Sequence, residues 1–210
     1  MEFEKLLGVV GEEPVFETGL LLAGEANAAD MRRQLSRWTK AGRVLQLRRG
    51  LYALAAPYQK TKPHPFVVAN RLVHSSYVSR ESALAYYGLI PEYVPAVTSV
   101  TSGRPGQWQT PLGLYDFRHV RTERLRGYQR VELTAGQWAF VATAEKGLLD
   151  LIYLHAGGDS PAYLEELRLQ HLDAFDFVRA AEYADSPKLR RALKFVQELA
   201  EREAEEYHAL

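Results

Sequence analysis

The sequence predicts an α+β protein built in two parts. Three observations predict it. Residues 28–54 pass from a helical apolar spacing into two short apolar strands joined through Arg48, Arg49 and Gly50. The stretch PYQKTKPHP carries three prolines and neither a helical nor an alternating period. Beyond it, strand-like alternation gives way to helical patterns that run to the end of the chain.

The N-terminal elements follow in order. EFEKLLGVV sets Phe3, Leu6, Leu7 and Val10 at helical spacing, and Gly11 closes that helix. Pro14, Val15 and Phe16 read as extended, because proline biases its predecessor away from helix and a β-branched and aromatic pair suits a strand. Thr18 is placed to cap a second short helix through residues 20–23, stopped by Gly24. Asn27 caps a third helix, residues 27–41, with Asp30 in its positive first turn and Gly42 as its left-handed stop. At ~100° per residue, Met31, Leu35 and Trp38 share one side of this helix. Arg33, Ser36, Arg37 and Lys40 share the other, flanked by Arg32 and Gln34. Strands at 44–47 and 51–54 complete a hairpin whose turn uses the positive φ available to Gly50. Helix, strand, helix, helix, strand, wing, strand is the order of a winged helix-turn-helix, here residues 1–57.

Residues 58–65 read as a linker. The second part, residues 66–210, opens with a short helix or strand at 66–72 and an extended Tyr77-Val78. Ser79 is placed to cap a helix at 81–87 that ends at Gly88. A strand at 94–101 follows, then an irregular hairpin over SGRPGQWQTPLG and a returning strand at 114–120. Strands at 130–133 and 138–142 flank a turn at Ala135-Gly136. Thr143 caps a helix at 145–155, and helices near 162–169, 174–184 and 188–208 finish the chain. The second part is thus α/β with C-terminal helices.

Composition narrows the function classes. The chain of 210 residues has no Cys, which removes disulfides, thiolate nucleophiles and Cys-based metal sites. MEFEKLLGVVGEEP is acidic where a secretory n-region is basic, and no apolar run approaches the ~18 residues of a membrane span. The expectation is a cytosolic protein with no membrane partner. The 26 Lys and Arg balance 26 Asp and Glu, yet the charges are segregated. Residues 31–50 hold Arg32, Arg33, Arg37, Lys40, Arg43, Arg48 and Arg49 and no acid, whereas residues 1–26 are acidic. A second basic cluster comprises Arg118, Arg121, Arg124, Arg126 and Arg130, with His119 among them.

Three phrases, LSRWTKAGRVLQLRRGLYAL, YVSRESALAYYGL and WAFVATAEKGLLDLIYL, resemble in wording and order the AbiEi family of antitoxins and antitoxin-like transcriptional regulators of bacterial abortive-infection systems. The resemblance spans residues 15–154. It implies a winged helix that binds the promoter of its own operon, and a C-terminal antitoxin-like domain that counteracts a nucleotidyltransferase-like toxin. It places the DNA-reading helix on residues 27–41, the wing on 43–54 and the family's Glu-Lys pair on Glu145 and Lys146.

The residues themselves support a duplex partner. Arg33, Ser36 and Arg37 suit base edges in a major groove, where an Arg to guanine contact discriminates by ~1–3 kcal/mol. Lys40, Arg43, Arg48 and Arg49 suit phosphates or the minor groove, and Arg32 on the flank completes the candidate DNA-binding set. The plain alternative is a solvated cationic face. Trp38 and Tyr52 read as core rather than stacking platforms. The Arg118 to Arg130 cluster reads as a patch that binds phosphates or docks an acidic surface of a partner, or equally as a solvated strand edge defended by charge, and GRPG at 103–106 as a plain turn. Glu145, Lys146 and Asp150 admit a metal-dependent nucleic-acid enzyme, but read more simply as a carboxylate favoured at a helix start with Lys146 a nearby surface charge. The expectation is no catalysis, no metal and no cofactor. A winged helix that binds only protein is the other alternative, and an inverted-repeat operator would fit either a dimer or two cooperating monomers.

Overall fold

The computed structural model describes residues 1–22, 27–92 and 94–208. The expected stop at Gly24 lies outside them. Helix α1 (Phe3–Val10), strand β1 (Phe16–Glu17), helices α2 (Thr18–Leu21) and α3 (Ala28–Lys40), and strands β2 (Val44–Arg48) and β3 (Leu51–Leu54) form the N-terminal part. Its antiparallel sheet has the order β1-β3-β2. Thr18 opens α2 without capping it; its backbone N–H and hydroxyl both donate to Gly50 O, at 2.9 and 3.4 Å.

All four residues of β3 are buried. Side chains alternate between the faces of a strand, so this requires cover on both faces. Tyr52 and Leu54 pack with Phe3, Leu6, Met31, Leu35 and Trp38, which accounts for the core placement of Trp38 and Tyr52. Leu51 and Ala53 join Val67, Val68 and Leu72 of helix α4 (Pro65–Leu72) in a different cluster. Burying a Leu is worth ~1.5–3 kcal/mol, so the small sheet is held against the second part by apolar packing. The expected linker is anchored too. Gln137 accepts from His64 N at 2.9 Å and donates to Lys62 O at 3.0 Å.

The second part is a mixed sheet of order β6-β7-β5-β4-β9-β8. Its strands are β4 (Ser76–Val78), β5 (Ala96–Thr101), β6 (Gly106–Thr110), β7 (Gly113–His119), β8 (Tyr128–Glu132) and β9 (Trp138–Ala142). The parallel pairs are β4 with β9 and β5 with β7. Helices α5 (Glu81–Tyr86), α6 (Ala144–Leu154), α7 (Pro161–Glu166), α8 (Phe177–Tyr183) and α9 (Pro187–His208) complete the chain and enclose their own apolar cluster, including Leu84, Leu148, Ile152, Leu164, Leu189 and Val196. The molecule is therefore mixed α and β. No helix among the described residues is long and apolar enough to cross a membrane.

Two local expectations are corrected. The stretch expected as an irregular hairpin contains a regular edge strand, β6, paired with β7 from Gly106 opposite Phe117 to Thr110 opposite Gly113. Its exposed Gln107, Trp108 and Gln109 hid it, because an edge strand needs no buried face. Ser79 does not cap α5. Its hydroxyl is fully buried and donates to Asp150 Oδ2 at 2.8 Å, and α5 is entered from Arg80 at φ 58°.

Candidate nucleic-acid interface

Helix α3 is started by Asn27, whose side-chain oxygen accepts from Ala29 N at 2.9 Å and Asp30 N at 3.3 Å. Met31, Leu35 and Trp38 turn inward, while Arg32, Arg33, Ser36, Arg37 and Lys40 are all exposed. Arg33 pairs with Asp30 one turn earlier, with both side chains more than 60% exposed (69% and 63%). An exposed pair of this kind is worth ~0–1 kcal/mol, so Arg33 exchanges Asp30 for another acceptor at little cost. Arg32, Arg37 and Lys40 pair with no carboxylate of the described residues. Arg43 is exposed beyond the helix, its guanidinium 5.1 Å from the centre of the Phe3 ring.

The hairpin tip departs from expectation. Gly50 has φ 85°, and the ladder slips between Gln46 and Arg48. That slip sends Arg48 back across the molecule. Its side chain is 22% exposed, lies 3.7 Å from Glu17 Oε1 and donates to Arg71 O at 3.2 Å. His74 Nε2 is 3.3 Å away. Arg48 is therefore a strut between the hairpin and α4, and Arg49 is the exposed cation of the tip. Glu17 and Arg71 escaped sequence reasoning because their partnership with Arg48 depends on how the two parts pack.

The second basic cluster is dispersed. Arg118 donates to Asp116 at 3.1 Å. Arg124 is 15% exposed, pairs with Asp185 and stacks 3.9 Å from the centre of the Tyr153 ring. Arg126 donates to Glu182 O at 3.4 Å, and Arg130 lies 4.3 Å over Trp138. Arg121 is exposed. With Arg124 spent inside the fold and Arg126 bound to the α8 end, these residues do not share one face as a continuous patch.

Glu145, Lys146 and Asp150 are all buried, so Lys146 is not the surface charge expected of it. Lys146 pairs with Asp150 Oδ1, and Asp150 Oδ2 accepts from Ser79 and from Tyr77 OH at 3.0 Å. Burial pushes the Lys146 pKa down against the opposing pull of Asp150, and burial with the Asp150 charge pushes the Tyr77 hydroxyl up. Glu145 accepts from Asp176 N and lies 3.8 Å from Arg179. No group of three or more His, Asp or Glu among the described residues is arranged to hold a metal ion. A cavity of about 1000 Å³ on the far side of the sheet from α4 is lined by Glu81, Asp116, Tyr163 and Arg168 among others. Burial raises the Asp116 carboxyl, but hydrogen bonds and charge from Arg80 outweigh it and hold it below its ordinary value.

No protein-family model matches the chain, and no curated protein matches it significantly.

Two of the three quoted phrases meet in space. Val78 of the second pairs with Val141 of the third in the parallel β4–β9 contact. Tyr77 and Ser79 of the second donate to Asp150 of the third. The first phrase, residues 35–54, supplies the C-terminal half of α3 together with β2 and β3.

Proposed function

We propose that the chain is a winged-helix regulator that binds duplex DNA through α3. The observation that carries this reading is the two-sided chemistry of α3: Met31, Leu35 and Trp38 inward, and Arg32, Arg33, Ser36, Arg37 and Lys40 outward. A helix that enters a major groove needs long cationic and small hydroxyl side chains on its outer side. Arg33, Ser36 and Arg37 meet base edges; Arg32, Lys40, Arg43 and Arg49 meet phosphates. Asp30 holds Arg33 in the free protein and yields it to the duplex.

The resemblance extends this reading to an antitoxin that represses its own operon and counteracts a nucleotidyltransferase-like toxin in the cytosol. Binding, rather than catalysis, is the role we assign. Lys146 and Asp150, which a nucleic-acid enzyme would have to expose to substrate, are 4% and 1% exposed and bind each other.

Gel retardation of the upstream promoter fragment tests the assignment. Arg33→Ala with Arg37→Ala is expected to abolish the shift while circular dichroism is unchanged. Retention of full binding overturns the placement of α3, and absence of binding by the wild-type chain favours the protein-binding module.

A further inference from the structure

Three aromatic side chains stand exposed at the β8–β9 end of the large sheet: Tyr128 at 41%, Trp138 at 45% and Phe140 at 37%. They share one face, because Trp138 and Phe140 are two residues apart on β9 and Tyr128 lies diagonally across on β8. The rings are not flat against one another. Tyr128 meets Phe140 edge-on at 5.6 Å and 83°, and Trp138 meets Phe140 at 5.4 Å and 78°. Tyr128 is backed by the buried Tyr77, stacked at 4.7 Å, so the cluster is fixed from beneath.

These rings line a groove of about 1250 Å³ together with the N-terminal segment. That segment contributes an acidic and apolar lining of Val9, Glu12, Glu13, Glu17 and Leu20. The ionisable groups of the groove are these three carboxylates, Arg71, His74 and the hydroxyls of Tyr77 and Tyr128. Glu17 is taken by Arg48 and His74, whereas Glu12 and Glu13 are exposed and pair with no cation among the described residues.

We infer that this groove docks an extended segment of a partner protein that carries arginine or lysine between apolar residues. Aromatic faces attract cations through their quadrupole, and the facing carboxylates add Coulomb attraction. Arg130, 4.3 Å over Trp138 on the same face, already makes this interaction, so an incoming cation displaces it from that ring or takes the faces of Tyr128 and Phe140. A nucleic-acid strand would stack on the same rings but bring its phosphates to Glu12 and Glu13. A second copy docking groove to groove would bring the same carboxylates with only Arg71 and His74 as cations to meet them. The inference does not depend on whether α3 binds DNA.

The test uses the full chain and a fluorescein-labelled peptide alternating arginine and valine, read by fluorescence polarisation. The expected result is binding that weakens with salt and falls about tenfold or more with Trp138→Ala. The pair Glu12→Gln and Glu13→Gln, which alters exposed side chains only, is expected to weaken it as well. Arg33→Ala with Arg37→Ala, and Glu198→Gln with Glu201→Gln, leave it unchanged. The inference is overturned if the peptide does not bind, if both groove variants bind it as the wild type does, or if a glutamate–valine peptide binds equally. It is also overturned if oligouridine binds and is lost with Trp138→Ala, or if sedimentation shows a dimer that Trp138→Ala separates.

Discussion

Lys146 and Asp150, one turn apart on α6, form an ion pair inside the protein, their side chains 4% and 2% exposed. Two hydroxyls, from Tyr77 and Ser79 on β4 and its end, complete the shell of the carboxylate. The pair therefore fastens α6 to the central strand of the sheet through groups that tolerate no loss of a partner.

Lys146→Met is expected to destabilise the fold by about 3–5 kcal/mol, because it strands a buried carboxylate. Adding Asp150→Asn should recover part of that loss, since the amide oxygen still accepts from both hydroxyls without a charge to bury. Urea denaturation of the two variants measures this. A double variant no more stable than the single one would mean that packing of the Lys stem, rather than charge compensation, carries the interaction.

Arg48 and Arg49 separate by position. Arg48→Ala should lower stability by about 1–2 kcal/mol through loss of its contacts to Glu17 and Arg71 O, leaving the salt dependence of DNA binding unaltered. Arg49→Ala should leave stability alone and, if the proposed DNA binding holds, reduce the slope of log K against log salt by about one unit for the one phosphate contact proposed for it. Equal slope changes for both would return Arg48 to the interface.

The sequence makes local features legible and long-range partnerships illegible. The apolar stripe of α3, its Asn27 cap and the Gly50 turn are all set by residues within a few positions of one another, and the structure places each as the spacing predicts. The destination of Arg48 depends on a slip in the β2–β3 ladder and on the approach of α4, neither of which leaves a period in the chain. Lys146 reads as a surface charge for the same reason. Its burial follows from Asp150, legible one turn away, and from Tyr77 and Ser79, some 70 residues earlier (separations of 73 and 71 from Asp150). The basic run from Arg118 to Arg130 reads as one cluster in a line of text, but β7, the turn after it and β8 distribute it over separate partners.

His64 gives the fold a pH dependence with a definite sign. Its Nδ1 accepts from Phe66 N at 3.1 Å and so caps α4, which an imidazolium cannot do. Burial lowers its pKa from the ordinary 6.5. The unfolded chain therefore binds this proton more readily than the folded one, and stability rises with pH across the window. The contribution is fully present above about pH 6.5, the unfolded value, and is lost as pH falls below it towards the folded value. A cap is worth about 1 kcal/mol, and the partial exposure of the ring makes that an upper bound here. His64→Asn keeps an oxygen acceptor at the cap and removes the titration. Urea denaturation at pH 7.5 and pH 5.5 is expected to show a larger loss of stability on acidification for the wild type than for His64→Asn, the difference being the share of His64. Parallel losses in the two proteins would show that the α4 cap does not depend on an unprotonated imidazole.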